Sequence, residues 1–321
     1  MCTAARTAPR TSARAIRRVG RASLVALLAG LAAPVVGAQQ APAHAGDWAA
    51  VDQALGRKGA AQPGGVMKYG FPRSDLHVTA GGVDVKPALA LGSWIAFEPV
   101  GGGRAMMMGD LVLTEAEVGP AMQALQQGGV EQSALHNHLL GESPRVMYMH
   151  VAAIGDPAAL ARTVRTALGT TQTPLAAPAS PAAAASIDLD TAAIAHALGA
   201  SGKVNGGVYQ VSVPRREAIR MNGHVVPPSM GVATGLNFQP TGGGKAAITG
   251  DFVLTSAEVN PVIRALREHG ITPTALHSHM LGEEPRLYFM HFWANDDATT
   301  LAGGLRAALD RMATKGAAAR R

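Results

Sequence analysis

Ala134-Leu135-His136-Asn137-His138-Leu139-Leu140-Gly141-Glu142-Ser143-Pro144-Arg145-Val146-Met147-Tyr148-Met149-His150 recurs 141 residues later as Ala275-Leu276-His277-Ser278-His279-Met280-Leu281-Gly282-Glu283-Glu284-Pro285-Arg286-Leu287-Tyr288-Phe289-Met290-His291. The block reads as a strand, a turn built on Gly141 and Pro144, and a returning strand. Six of the eleven histidines lie in the two copies at matching positions, whereas His44, His77, His196, His224 and His269 have no histidine mate. The polar cluster was kept while its surroundings drifted.

The duplication extends well beyond this block. Gly64-Gly65-Val66 matches Gly206-Gly207-Val208, Pro72-Arg73 matches Pro214-Arg215, and Gly109-Asp110 matches Gly250-Asp251. Glu117-Val118 and Pro120 match Glu258-Val259 and Pro261. Two units of this length are two homologous tandem domains, since solenoid repeats are shorter and more numerous. Thr114-Glu115-Ala116-Glu117 and Thr255-Ser256-Ala257-Glu258 are capping boxes ahead of residues with helical spacing. Strands are expected over Val66–Gly70, Leu76–Val85, Ser93–Glu98 and Ala105–Leu113, with a hairpin turn at Gly101-Gly102-Gly103-Arg104. Short helices are expected over Asp47–Gly56 and Leu189–Gly199, and a last helix near Asp156-Pro157 and at Asp297. The fold class is therefore α+β: each copy is an antiparallel or mixed sheet with helices, ending in a β-α-β-β-α unit.

Residues 1–38 read as a secretory signal, with a second cleavage point as late as 45. Arg6, Arg10, Arg14, Arg17, Arg18 and Arg21 precede an apolar stretch from Ala22 to Val36. The full chain carries 28 basic and 22 acidic residues, and six of the basic ones leave with this segment, so 22 oppose 22. Near-neutrality removes the compositional case for a nucleic-acid partner. Cys2, the sole cysteine, lies in the same segment, which excludes a disulfide framework, a thiolate metal site, a Cys nucleophile and a lipidation cysteine after the apolar stretch. The expected organisation is domain 46–169, a Pro/Ala-rich extended spacer 170–186, domain 187–312 and a basic tail 313–321. A periplasmic or secreted protein follows, with no transmembrane helix after processing and with domains that pack by pseudo-two-fold symmetry.

On a strand, alternate residues share a face, so His136 and His138 point the same way with Cα atoms roughly 6.5 Å apart. With His150 on the return strand, and His277, His279 and His291 in the second copy, each domain is expected to present a divalent-metal site. Nitrogen and oxygen donors without cysteine suit Zn, Mn, Fe, Ni or Cu. Glu142 and Glu283 are the candidate general bases for a metal-dependent hydrolysis. Asp110 and Asp251, carboxylates inside apolar runs, are candidates for a fourth ligand, for orienting an imidazole from behind, or for pairing with Arg73 or Arg145. Arg145 and Arg286 are candidate outer partners of the site, or lock the turn by pairing with the glutamates. Register decides the three-histidine site. His138 opposite Ser143 or Arg145 turns His150 away, whereas His138 opposite Pro144 or Val146 puts all three on one face. The competing readings are a metal-free pocket for an unknown small molecule or envelope component, and a structural network. No Gly-x-Ser-x-Gly occurs and Ser143 becomes Glu284, which disfavours a serine hydrolase.

The succession from Gly250-Asp251-Phe252-Val253-Leu254-Thr255 through Glu258-Val259, Pro261-Val262 and the histidine block to Phe292-Trp293 resembles the bacterial LppY/LpqO-type family, a tandem domain of unknown function. The resemblance covers both copies and implies an exported, duplicated-domain protein. It supplies no activity to transfer.

Overall fold

A computed structural model describes residues 48–176 and 186–314. The signal segment at 1–38 with its alternative cut at 45, the middle of the spacer and the tail from 315 onward lie outside the described residues. The first half runs α1 (Ala49–Leu55), β1 (Ala60–Ala61), β2 (Met67–Pro72), β3 (Val78–Ala80), β4 (Val83–Val85), β5 (Gly92–Gly101) and β6 (Arg104–Thr114). It continues with α2 (Glu115–Gln127), β7 (Glu131–His136), β8 (Val146–Gly155) and α3 (Pro157–Gly169).

The second half repeats the order. It contains α4 (Thr191–Leu198), β9 (Gly202–Asn205), β10 (Val208–Pro214), β11 (Arg220–Met221), β12 (His224–Val225), β13 (Ala233–Gly242) and β14 (Lys245–Leu254). Then come α5 (Ser256–Glu268), β15 (Thr272–His277), β16 (Glu283–Glu284), β17 (Tyr288–Asp297) and α6 (Ala298–Leu309). The protein is α+β in two similar halves, each ending in β-α-β-β-α. The second half adds β16 within the turn, paired with β11. Among the described residues no helix is long and apolar enough to cross a membrane.

Each half has a six-stranded sheet, ordered β1-β2-β5-β6-β8-β7 and β15-β17-β14-β13-β10-β9. Strand alternation explains how both faces become buried. On β6, Met107, Leu111 and Leu113 join a core with Val51 and Leu55 of α1, Leu125 of α2 and Val164 of α3. The intervening Met106 and Met108 face the other way, into a core shared with Met221, Val226, Met230 and Phe289 of the second half. A further shared core sets Val83, Val85 and Tyr148 against Val208 and Ala247. Helices thus cover one face of each sheet, and the opposite half covers the other.

The first residues of the spacer are held by side chains of the first half. Gln172 N donates to Glu117 Oε1 at 2.7 Å, and Arg57 Nη2 donates to the carbonyls of Leu175 and Ala176 at 3.0 Å. Buried and chelating side chains of the first half hold its backbone through Ala176.

Candidate metal centre

The register of the histidine hairpin is the favourable one. His136 pairs with Tyr148 and Ala134 with His150 in β7–β8, a frame that sets His138 against Val146, so all three imidazoles share a face. Strand β15 pairs His277 with Phe289 and Ala275 with His291 in the same frame. Strand β6 lies on the far side of β8 with Asp110 directly opposite His150, and β14 places Asp251 opposite His291. The carboxylates therefore stand beside the imidazoles on the same face.

That face is the one each half turns toward the other, and the contacts run in pairs related by the 141-residue offset. Ser133 Oγ donates to His279 O at 2.6 Å, and its mate Thr274 Oγ1 donates to His138 O at 2.5 Å. Ring centroids of His138 and His291 lie 3.7 Å apart, and those of their mates His279 and His150 lie 3.8 Å apart. His136 and His277 are each other's mates and stack at 3.6 Å. Such reciprocal contacts define a pseudo-two-fold axis through the His136–His277 pair. The expectation of a separate site in each domain is thus replaced by one cluster at the axis. Three sets of imidazoles bring ligand nitrogens within 4.8 Å of one another: His136/His138/His150, His136/His277/His291 and His150/His277/His279. The first is the expected set of the first domain; the other two draw on both halves.

The chemistry of these rings suits ligation. His291 Nδ1 lies 2.7 Å from Gly250 O, His279 Nδ1 3.0 Å from Gly231 O and His277 Nδ1 3.2 Å from Ser278 O. A carbonyl only accepts, so each Nδ1 carries the proton and Nε2 is left with its lone pair. The Nε2 atoms of His138, His150, His277 and His279, and Nδ1 of His136, are buried without a hydrogen-bond partner. Burial, reinforced by neighbouring imidazoles, lowers the pKa of His136, His138, His150 and His279, and burial lowers those of His277 and His291, the last to about 4. The rings are therefore neutral near pH 7, the ligating form. His clusters of this kind can hold a metal ion.

Asp251 Oδ2 lies 2.9 Å from His279 Nε2, and Asp110 Oδ2 lies 3.6 Å from His138 Nε2 and 4.0 Å from His150 Nε2. Burial raises the pKa of both carboxyls, and for Asp110 the nearby Asp251 adds to the effect. The alternative partner for Asp110 is occupied elsewhere, because Arg73 binds Glu117 and Asp75.

The turn residues do other work. Glu142 Oε1 accepts from Val146 N and from Asn137 Nδ2, each at 3.3 Å, and Glu283 Oε1 accepts from Leu287 N at 2.9 Å. Both glutamates thus tie the turn to the start of the return strand, and neither joins a converging set among the described residues. Arg286 Nη1 donates to Glu283 Oε2 at 3.3 Å, while Arg145 sits at the surface 3.8 Å from Glu115. The structure places neither arginine against the imidazoles. Sequence reading passed over Ser133 and Thr274, which cross-link the halves. Their shared hydroxyl at matched positions was the available signal.

No curated protein matches the chain. One solved structure, a trimeric bacterial microcompartment shell protein, PduB, is similar over 79% of this chain and 89% of that chain at 12% identity. Its TM-score is 0.21, which carries nothing about fold or function. The family described as Domain of Unknown Function (DUF1259) matches residues 49–170 and again residues 192–311. This supports the tandem domain expected from the histidine block, without the LppY/LpqO name. Matched once in each half around the shared cluster, the chain belongs to that family of unknown function as a tandem pair.

Proposed function

We propose that the chain binds a divalent transition-metal ion in the histidine cluster, with ligands drawn from both halves. The observation that carries this reading is the convergence of buried, partnerless imidazole nitrogens within 4.8 Å. A buried polar atom left unpaired costs about 1–3 kcal/mol, and one ion satisfies several at once. An all-imidazole set suits Zn, Cu, Fe or Ni, whereas Mn favours carboxylate oxygen.

Metal analysis of protein purified without a histidine tag tests this directly. Stoichiometric metal is expected, together with a higher melting temperature on reloading of stripped protein. His277 belongs to two of the three sets, including the one with His150 and His279, so His277→Ala alone is expected to remove most of the metal. Loss of half would point to independent sites in the two domains. Metal-free protein whose melting ignores added Zn, Cu and Ni would sink the reading in favour of a non-catalytic envelope binding protein with a structural histidine block.

A hydrolytic use of the ion has one observation in its favour. Glu142 Oε2 is buried without a partner, and burial raises that carboxyl's pKa, as suits a general base. Glu142→Gln is then expected to abolish turnover of a chromogenic ester or phosphate with metal content unchanged. The signal segment adds export to the proposal. A mature N-terminus at residue 39 or 46 is the expected result of sequencing protein from the periplasm or medium.

A further inference from the structure

A cleft of about 790 Å³ opens between the halves, lined on one side by Gln132, Ser133 and Ala152 and on the other by Asn222, Leu281 and Gly282. Its wall reaches the backbone of the histidine block, since Ser133 Oγ donates to His279 O at 2.6 Å. Ala152 follows His150 by two positions on β8, hence on the same face one pleat away, roughly 6.5 Å along the strand. Leu281 follows His279 by two residues, and the His150 and His279 rings lie 3.8 Å apart. These two histidines with His277 form one of the converging sets.

The pseudo-two-fold axis requires a second cleft at the opposite end of the cluster, beside His291 and His138. There the duplication has drifted. The mate of Ala152 is Trp293, and the mate of Asn222 is Gly81. The Trp293 indole packs against the core that holds Val83 and Val85, and its Nε1 would lie 3.4 Å from a Cβ placed on Gly81. The indole therefore spans the gap that stands open between Ala152 and Asn222. A symmetric cluster has been given one open mouth and one plugged mouth.

Resting on the metal reading above, we propose that this cleft is the route by which a small uncharged ligand reaches an ion held by His150, His277 and His279. Its walls offer the amides of Gln126, Gln132 and Asn222 and the hydroxyl of Ser133, carry the carboxylate of Glu131, and include no lysine or arginine. A neutral molecule bearing a nitrogen or oxygen donor fits that lining; an anion is repelled by Glu131.

Cobalt-loaded protein supplies the test. Imidazole, largely neutral at about pH 8, is titrated while the visible spectrum of the ion is followed. Ala152→Trp, which copies the plug into the open mouth, is expected to keep the cobalt stoichiometry and weaken imidazole binding at least about tenfold. Trp293→Ala, which removes the plug, is expected to keep stoichiometry and speed imidazole association about twofold by opening a second mouth. Glu131→Gln is expected to leave imidazole binding unchanged and to strengthen azide binding at low ionic strength. Unchanged imidazole binding in Ala152→Trp with cobalt retained overturns the route. Should Ala152→Trp fail to fold, an association rate unmoved in Trp293→Ala overturns it equally. Azide binding indifferent to Glu131→Gln overturns the assignment of an uncharged ligand. Wild-type protein that takes up no cobalt overturns the metal reading itself, a result distinct from all of these.

Discussion

Arg73 is fully buried, and all three of its guanidinium nitrogens donate. Nη1 bonds Val112 O at 2.7 Å and Glu117 Oε2 at 2.8 Å, Nη2 bonds Glu117 Oε1 at 3.2 Å, and Nε bonds Asp75 at 2.9 Å. Glu117 is saturated in turn, accepting also from Thr114 N and Gln172 N. The second half repeats the arrangement with Arg215, Glu258 and Val253 O. Duplication therefore preserved two polar clusters of opposite character. The arginine cluster satisfies all three guanidinium nitrogens of Arg73 and all but Nε of Arg215 and reads as structure, while the histidine cluster leaves several ring nitrogens unpaired and reads as a site. Capping explained Glu117 in the sequence but did not reveal its ion pair, because Arg73 lies 44 residues away along the chain. Glu117→Ala uncaps α2 and takes one of two carboxylates from a buried cation that keeps Asp75, so it is expected to cost about 3 kcal/mol, the low end for breaking a buried pair, in urea denaturation without altering metal content. A loss below about 1 kcal/mol, the range of an exposed pair, would show that the pair contributes little.

At the scale of elements, the halves dock through the β3–β4 arm of one and the sheet of the other, and the docking is not symmetric. Gln239 on β13 donates to Asp84 O at 2.7 Å and accepts from Lys86 N at 2.9 Å. The mates of Gln239 and Lys86 are Glu98 and Pro227. Proline has no N–H, so the acceptor on Glu98 loses its donor, and Glu98 Oε2 is buried without a partner. Burial raises this carboxyl from 4.5 to about 7. An acid whose folded value is raised favours the fold when protonated, so its contribution is complete below 4.5 and disappears as pH climbs through about 7. Glu98→Gln is accordingly expected to melt higher than wild type above pH 7, with the gap closing toward pH 4.5. A constant gap across that range would remove Glu98 ionisation as its cause. Close approach between strands leaves its own mark at Gly250, where a Cβ would sit 1.9 Å from Gly235 O. The sequence shows that glycine kept beside Asp251, and only the pairing of β13 with β14 shows why.

Over the whole molecule, what could be read in the chain was local. The capping boxes, the Gly101–Gly103 hairpin, the Asp156 and Asp297 caps and the strand-turn-strand histidine block follow from residue chemistry within a few positions. The merging of two expected sites into one does not, since it depends on which sheet face each half buries. A hint lay in β6, apolar on both faces although helices can cover only one. The merged cluster also sets how the protein responds to acid. Its imidazoles are held neutral by burial, His291 with a folded value near 4 against 6.5 when free. Between those values the unfolded chain binds protons that the fold refuses, so stability rises with pH across the window and falls on acidification. Glu98, Glu142, Asp110 and Asp251, whose carboxyls burial raises, act in the opposite direction, but they are four groups against six imidazoles that share a sign. The melting temperature of metal-free protein is therefore expected to drop from pH 6.5 toward 4, with a slope that shallows in the His136→Ala/His277→Ala double variant. Bound metal should steepen the drop, because protons and the ion compete for the same lone pairs. A flat profile through this window, in both forms, would mean that the imidazoles titrate as freely in the fold as in water, and the buried cluster would then have no physical basis.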